Sequence, residues 1–249
     1  MSTLQSSEKW KGALYSFVLV IVVWQAVAML LKMPIIPTPT AVFVNLVEVF
    51  QIRMEIHLWY SLGRIVAGIA ISILLGVSLG LLMGYFAKVD KIFSPLVYFT
   101  YPVPKIALLP IVMLLFGLGE ASKLIMIVLI IVFQIVITAR DAVKNIPQEM
   151  FRSLQSLGAG RRQIFKEIIF PASLPEVLTA TRLALGTAVS ILFFTETFGT
   201  EYGMGYFIMD AWMRVNYLDM YAGIVMLSLL GFCLFTLLDV AEQYFCSWR

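Results

Sequence analysis

Charged residues are so sparse along this chain that the intervals between them outline its elements. Gly12–Leu31 is uncharged between Lys11 and Lys32, and Ile65–Ala87 between Arg64 and Lys88. Leu124–Ala139 runs uncharged between Lys123 and Arg140, and Met220–Leu238 between Asp219 and Asp239. A helix that crosses ~30 Å of hydrocarbon needs ~20 apolar residues. Two further apolar stretches carry a charge inside: Ile92–Gly119 holds Lys105, and Pro175–Gly199 holds Arg182 and Glu196. The pattern predicts six transmembrane helices in one domain spanning 1–249, over about 12–31, 65–87, 92–119, 123–140, 175–199 and 220–240. Lys9 and Lys11 before the first run, and Ala26-Val27-Ala28 within it, have the look of a signal peptide. The run continues past that site and exceeds the usual ~7–15 residues, so it is read as a retained helix.

Composition agrees. Apolar residues make up 61% of the 249 and charged residues 13%, with mean hydropathy +0.93. Soluble domains carry about 25% charged residues. A soluble globule, a disordered chain and a fibre are excluded, leaving an all-α integral membrane protein. Cys233 and Cys246 are too few for a disulfide-built fold, and the single His57 leaves no histidine-based metal site. The net charge of +3 is too small and too dispersed for nucleic acid. Lys and Arg favour cytoplasmic loops. With the N-terminus inside, the inner side holds Lys9, Lys11, Lys88, Lys91, Arg140, Lys144, Arg152, Arg161, Arg162, Lys166 and Arg249. The outer side holds Lys32, Arg53, Arg64, Lys123 and Arg214. Both termini are therefore expected in the cytoplasm.

Between spans, Thr38-Pro39 fits a helix start, with a cap residue before a proline at the first helical position. Phe43, Leu46, Val47 and Phe50 then share one face of a short helix on the outer surface. Residues 140–172 form a cytoplasmic loop with a dense set of charges: Arg140, Asp141, Lys144, Glu149, Arg152, Arg161, Arg162, Lys166 and Glu167. Pro147 is expected to open a helix, Gly158 to end it at positive φ, Arg161 to start another and Pro171 to stop that one. A loop longer than a connector needs, with its own helical pattern, presents a surface to another protein.

The chain has no Ser/His/Asp set, no metal-ligand spacing and no phosphate-cradling loop, so it is not expected to hydrolyse nucleotide. Gly76, Gly80 and Gly84 recur every four residues and predict close approach of a neighbouring helix. Lys105 falls near mid-membrane, where a lysine costs ~2.5–3.5 kcal/mol on insertion scales. It sits in Tyr101-Pro102-Val103-Pro104-Lys105, where two prolines interrupt the helix. Broken helices at this depth line cavities. Pro102, Pro104, Lys105 and Glu196 are therefore candidates for a translocation path. A structural pair between Lys105 and Glu196 is the alternative. Arg182 reads as a snorkelling, structural cation, and Trp24, Trp59, Tyr60 and Trp212 suit interface belts.

The loop carries a resemblance. Gly158, nine residues, then Ile168-Ile169-Phe170-Pro171 resembles half of the cytoplasmic "EAA" signature of ABC importer permeases. The flanks Ser156-Leu157-Gly158-Ala159-Gly160-Arg161-Arg162-Gln163 and Pro171-Ala172-Ser173-Leu174-Pro175-Glu176 agree. Tyr101-Pro102-Val103-Pro104 with Ala107-Leu108-Leu109-Pro110, Phe116-Gly117-Leu118-Gly119-Glu120-Ala121-Ser122-Lys123, and Gly203-Met204-Gly205-Tyr206 resemble the nitrate/sulfonate/taurine subfamily. Two departures stand out: Arg152-Ser153-Leu154 occupies the place of the Glu-Ala-Ala triplet, and Phe170 that of a leucine.

The resemblance implies a type I permease fold in a prokaryotic plasma or inner membrane. It implies a second permease copy, a cytoplasmic ATPase dimer and an extracytoplasmic substrate-binding protein as partners. ATP and Mg would sit on the ATPase, with no cofactor on this chain. The ATPase would couple through Glu149, Arg152, Leu157, Gly158, Ala159, Arg161, Ile168 and Pro171. The solute would be small and anionic, such as nitrate, a sulfonate, taurine or bicarbonate. The alternatives are a neutral thiamine-precursor-like solute, or a secondary transporter or channel independent of an ATPase.

Overall fold

The computed structural model describes residues 2–246, and of residues 2–11, 13 and 14 the backbone alone. Arg249 and the side chains of Lys9 and Lys11 thus lie outside the described residues. The chain runs through α1 (Ser2–Leu31), α2 (Pro39–Val49), α3 (Glu55–Tyr85), α4 (Ala87–Thr100) and α5 (Leu109–Phe116). It continues through α6 (Glu120–Lys144), α7 (Gln148–Ser156), α8 (Arg161–Ile164), α9 (Phe170–Glu196), α10 (Met204–Met213) and α11 (Tyr217–Phe245).

Among the described residues, four helical stretches are long and apolar enough to cross a membrane: Pro39–Tyr85, Glu120–Lys144, Arg161–Glu196 and Tyr217–Phe245. A fifth is the pair Ala87–Thr100 and Lys105–Phe116, bent by 82° at residues 101–104. The segment predicted at 12–31 is the C-terminal two thirds of α1, whose shorter apolar part is Tyr15–Leu31. Its residues Phe17, Val18, Leu19 and Val20 are exposed, as a lipid-facing surface requires. Trp24 instead turns to the bundle, donating to the Pro37 carbonyl at 3.1 Å and stacking on Tyr221.

Helix α3 packs along α6. Lipid tails are as apolar as leucine, so close van der Waals contact rather than water exclusion holds such helices together. The fully buried Ile127, Ile131 and Ile135 of α6 fill the space opposite the glycines of α3. A Cβ on Gly80 would lie 2.6 Å from both the Ala139 Cβ and the Val136 carbonyl oxygen. The four-residue glycine repeat is therefore a contact stripe for α6. Helix α9 completes the core against both, with Ala184 and Ala188 fully buried.

Three expectations need correction. Pro171 does not stop a helix: 161–196 is continuous, because residues 165–169 open into a π turn in which the Phe170 N–H reaches the Phe165 carbonyl. The widened turn makes room for a proline that an ordinary turn would clash with. The outer segment is not a separate surface helix either. Thr38 does cap α2, accepting from the Ala41 N–H at 3.4 Å, but a π turn at Phe50–Met54 joins α2 directly to α3. Its buried face is Val42, Leu46 and Val49, while Val47 is 75% exposed and Phe43 37%. The third correction concerns Arg64 and Lys123, read above as flanking charges. They are buried, at 4% and 1% exposure, since α3 begins at Glu55 and α6 at Glu120.

Candidate functional site: a broken helix between a charge cluster and an exposed hairpin

The break between α4 and α5 follows from its two prolines. Pro102 and Pro104 bring no N–H, so carbonyls at the end of α4 lose their helical donors. Lys105 replaces them: its Nζ donates to the carbonyls of Thr100 and Tyr101, both at 2.9 Å. The ammonium also stands 4.8 Å from the Phe133 ring centre and 5.7 Å from that of Tyr101. Among the described residues it has no carboxylate partner. The chain then turns through a short 3-10 helix, Lys105–Leu108, into α5.

Two cavities flank the break. One, of about 450 Å³, is lined by Ser94, Tyr98, Tyr101 and Pro102 and reaches Arg140. The other, of about 420 Å³, brings Lys105, Gln134 and Thr187 together against Val103, Ile106 and Ile191. Tyr101 lines both.

A charge cluster closes the end of the bundle away from residues 140–172. His57, Ser61 and Arg64 lie at i, i+4 and i+7 on one face of α3. The Arg64 guanidinium donates to Glu196 at 2.7 Å, to Glu120 at 2.7 Å and 2.5 Å, and to the Tyr202 carbonyl at 2.7 Å. Glu196 is fully buried and also accepts from Ser61 at 2.8 Å and from the Gly205 N–H at 2.9 Å. The Met204 N–H donates to Ser61 and the Gly203 N–H to His57 Nδ1. Three successive amides at the start of α10 thus find side-chain acceptors, one of them a carboxylate favoured by the helix dipole. Gly203 has φ +135°, and a Cβ there would stand 2.3 Å from the Glu196 Cδ. This is the physical reason for glycine in Gly203-Met204-Gly205-Tyr206. Lys123 donates to the carbonyls of Leu118 and Gly119, closing the α5–α6 loop beside Arg64.

At the opposite end, Arg140 and Lys144 each meet Asp90 at 2.6 Å, tying α6 to α4. Beyond them 145–160 forms a hairpin. Pro147 precedes α7, none of whose residues is buried. Gly158 ends it at φ +80° with open space around its Cα. The Gly158 N–H returns to Gln155 and the Ala159 N–H to Leu154. Ile164, Ile168 and Ile169 then pack with Leu81, Ala139 and Val143, fixing the hairpin to the bundle.

The sequence candidates fall into distinct places. Glu149, Arg152, Leu157, Gly158 and Arg161 are exposed on the hairpin, Ala159 and Pro171 are half-buried, and Ile168 is a core residue. Pro102, Pro104 and Lys105 lie together at the break. Glu196 is not with them, and the Lys105–Glu196 pair offered as an alternative is not formed, since Glu196 is held by Arg64. Arg182 does have a structural partner set, Asp239 at 2.5 Å and Glu242. His57, Ser61, Arg64 and Glu120 were missed as a group. The signal for the three on α3 is the i, i+4, i+7 spacing, hidden because the span is started after Arg64; Glu120 joins them from α6 and shares no local pattern with them.

The family model for "Binding-protein-dependent transport system inner membrane component" matches residues 72–245, from α3 to the end of α11. The taurine transport system permease protein TauC of Escherichia coli (strain K12) is 32% identical over 239 residues, covering 93% of this chain and 87% of that protein. The formylaminopyrimidine transport permease protein ThiX of Halalkalibacterium halodurans is 31% identical over 234 residues and covers 94% of both chains. An inward-facing structure of the MetNI methionine ABC transporter superposes with a TM-score of 0.67 at 20% identity, over 76% of this chain and 94% of that one. The fold is thus that of a type I ABC importer permease, and the chain belongs to the family of binding-protein-dependent transport system inner membrane components, in its taurine/sulfonate subfamily.

Proposed function

We propose that this permease conducts a small organic solute, handed over by an extracytoplasmic binding protein, along a path lined by the broken segment 101–108 and the facing parts of α6 and α9. A second permease copy, most simply an identical one, completes the path. A separate cytoplasmic ATPase dimer, carrying ATP and Mg, docks on the hairpin 145–160. The taurine and formylaminopyrimidine permeases resembled by this chain set the size of the solute. In this reading the chain has six spans with both termini cytoplasmic and the hairpin on the ATPase side, which the Lys and Arg distribution supports.

One observation carries this reading. In a chain of buried or lipid-facing helices, α7 lays only Phe151 and Leu154 partly against the bundle and leaves its other residues exposed, and Leu157 beside it is 82% exposed. An exposed apolar residue at the tip of a charged hairpin fits a surface that another protein covers. The hairpin is held to the core by Ile164 and Ile168, so a push on it is passed to α9.

Gly158→Val tests the docking. A β-branched residue in the left-handed region costs about 1–2 kcal/mol, and the strain falls on a position where a Cβ meets no neighbouring atom within 4 Å. Co-purification with the ATPase should fall roughly tenfold, while membrane insertion and thermal stability stay near wild type. A variant that retains a full complement of ATPase and ATP-driven uptake would show that coupling enters elsewhere.

A further inference from the structure

We propose that Lys105, Gln134 and Thr187 form a binding site for the oxyanion head of a small solute, a sulfonate or carboxylate, in the cavity beside the helix break. The inference rests on the permease reading and names the substrate class at that path.

The cavity is the right size. It is an open groove, with Thr187 exposed at its edge, and at about 420 Å³ it falls at the small end of organic-ligand sites. Its lining has the usual make-up of such sites, a mostly apolar wall with a few converging polar groups. Those groups are all able to donate. Lys105 carries three N–H bonds, of which the Thr100 and Tyr101 carbonyls take two. The Gln134 amide offers two N–H bonds and Thr187 an O–H. Among the described residues neither side chain has a hydrogen-bond partner. No acidic side chain lines the cavity.

Charge decides the ligand class. The two carbonyls take two of the lysine's three N–H donors and leave its positive charge uncompensated, although the residue is only 8% exposed. A charge placed there is costly unless something of opposite sign visits. The ammonium is also held in place. Two hydrogen bonds and the faces of Phe133 and Tyr101 fix its position, so little side-chain freedom remains to be lost on binding. The three donors come from three elements: the break, the middle of α6 and the middle of α9. Any shift of α9 relative to the break changes the spacing between them. The site is therefore expected to hold its anion in one state of the bundle and release it in another.

The test uses the complete complex of permease and ATPase in phosphatidylcholine nanodiscs, which present no anionic lipid headgroup. Equilibrium dialysis would measure binding of radiolabelled ethanesulfonate and acetate, with a neutral pyrimidine as control. ATP-driven uptake would be followed in parallel. Lys105→Met should weaken anion binding about tenfold or more, and Lys105→Arg should restore most of it. Gln134→Leu with Thr187→Val should weaken it several-fold while leaving the melting temperature nearly unchanged, because neither side chain makes a hydrogen bond among the described residues.

Two results would overturn the site and leave the permease reading intact. In one, the Gln134/Thr187 double variant and Lys105→Met both bind ethanesulfonate like wild type, which leaves Lys105 only a cap for the helix break. In the other, wild type takes up solute with ATP yet binds the neutral pyrimidine and neither anion. A complex that shows no ATP-driven uptake of any solute and holds no ATPase would remove the permease reading and the site with it.

Discussion

Arg64 and Lys105 are two cations in apolar helices of one bundle, and they are buried to nearly the same degree, at 4% and 8% exposure. Their surroundings differ. Arg64 has two carboxylates, a hydroxyl-bearing neighbour and a backbone carbonyl around it. Its planar fork serves several acceptors at once, which suits it to a fixed ion cluster. Lys105 has two carbonyls, two rings and a cavity. The first charge is spent inside the protein. The second stays available to something that enters. Burial alone therefore does not separate a structural charge from a functional one. What differs between these two is the counter-charge: Arg64 meets two carboxylates, and Lys105 meets none among the described residues.

Stability measurements on matched substitutions test this division first. Arg64→Met leaves the buried Glu196 with Ser61 and the Gly205 N–H but without its counter-charge, and losing one member of a buried ion pair costs about 3–5 kcal/mol. Lys105→Met leaves two carbonyls at a helix end without donors, a cost of about 1–3 kcal/mol. Thermal unfolding in one detergent should show the Arg64 variant melting well below the Lys105 variant. Adding Glu196→Gln to Arg64→Met should recover part of the loss. Equal melting temperatures for the two single variants would erase the distinction and make Lys105 a strut.

The sequence made the second charge easier to see than the first. Lys105 stands alone inside an apolar run, next to two prolines, and both signals are local. Uncharged runs mark where a span can lie because an unpaired charge is expensive in hydrocarbon. The same logic misplaced Arg64, since a run-counting argument ends a span at the first charge. An arginine already paired with Glu196, 132 residues away, can lie inside. Pairing of that kind is set by tertiary structure and leaves no mark on the local pattern. Pro171 failed for a related reason. Proline breaks a regular α turn, but a single π turn absorbs it, and nothing in the residues 165–169 announces one. Gly158 was legible because a turn at positive φ must be made within a few residues. Gly203 was legible as a motif residue, while its cause, the Glu196 carboxylate behind it, was not.

Gly203 offers the next largest effect and sharpens the account of the Arg64 cluster. Gly203→Ala places a Cβ against the Glu196 carboxylate on a backbone that L-residues rarely adopt. Strain of this kind costs about 1–3 kcal/mol. The melting temperature should fall by less than for Arg64→Met. The loss should shrink when Glu196→Ala is made in the same chain, because the obstructing carboxylate is then gone. An additive double variant would mean that backbone strain alone explains the glycine.

The smallest effect is expected at Glu120, and it asks how far the buried character of the cluster extends. Glu196 is fully buried, whereas the Glu120 side chain is 53% exposed, although both bind the same guanidinium. Solvent screens the second pair, and exposed pairs contribute about 0–1 kcal/mol. Glu120→Gln should therefore lower stability only slightly, since Glu196 still balances Arg64. Ionic strength separates the two carboxylates. The Debye length falls from about 30 Å at 0.01 M salt to about 3 Å at 1 M. The gap in melting temperature between wild type and Glu120→Gln should narrow across that range. The gap between wild type and Arg64→Met should persist, because the Arg64–Glu196 contact is out of reach of mobile ions. If the Glu120 gap is as large and as salt-resistant as the Arg64 gap, the cluster is a triad closed on both sides rather than a buried pair with one exposed partner.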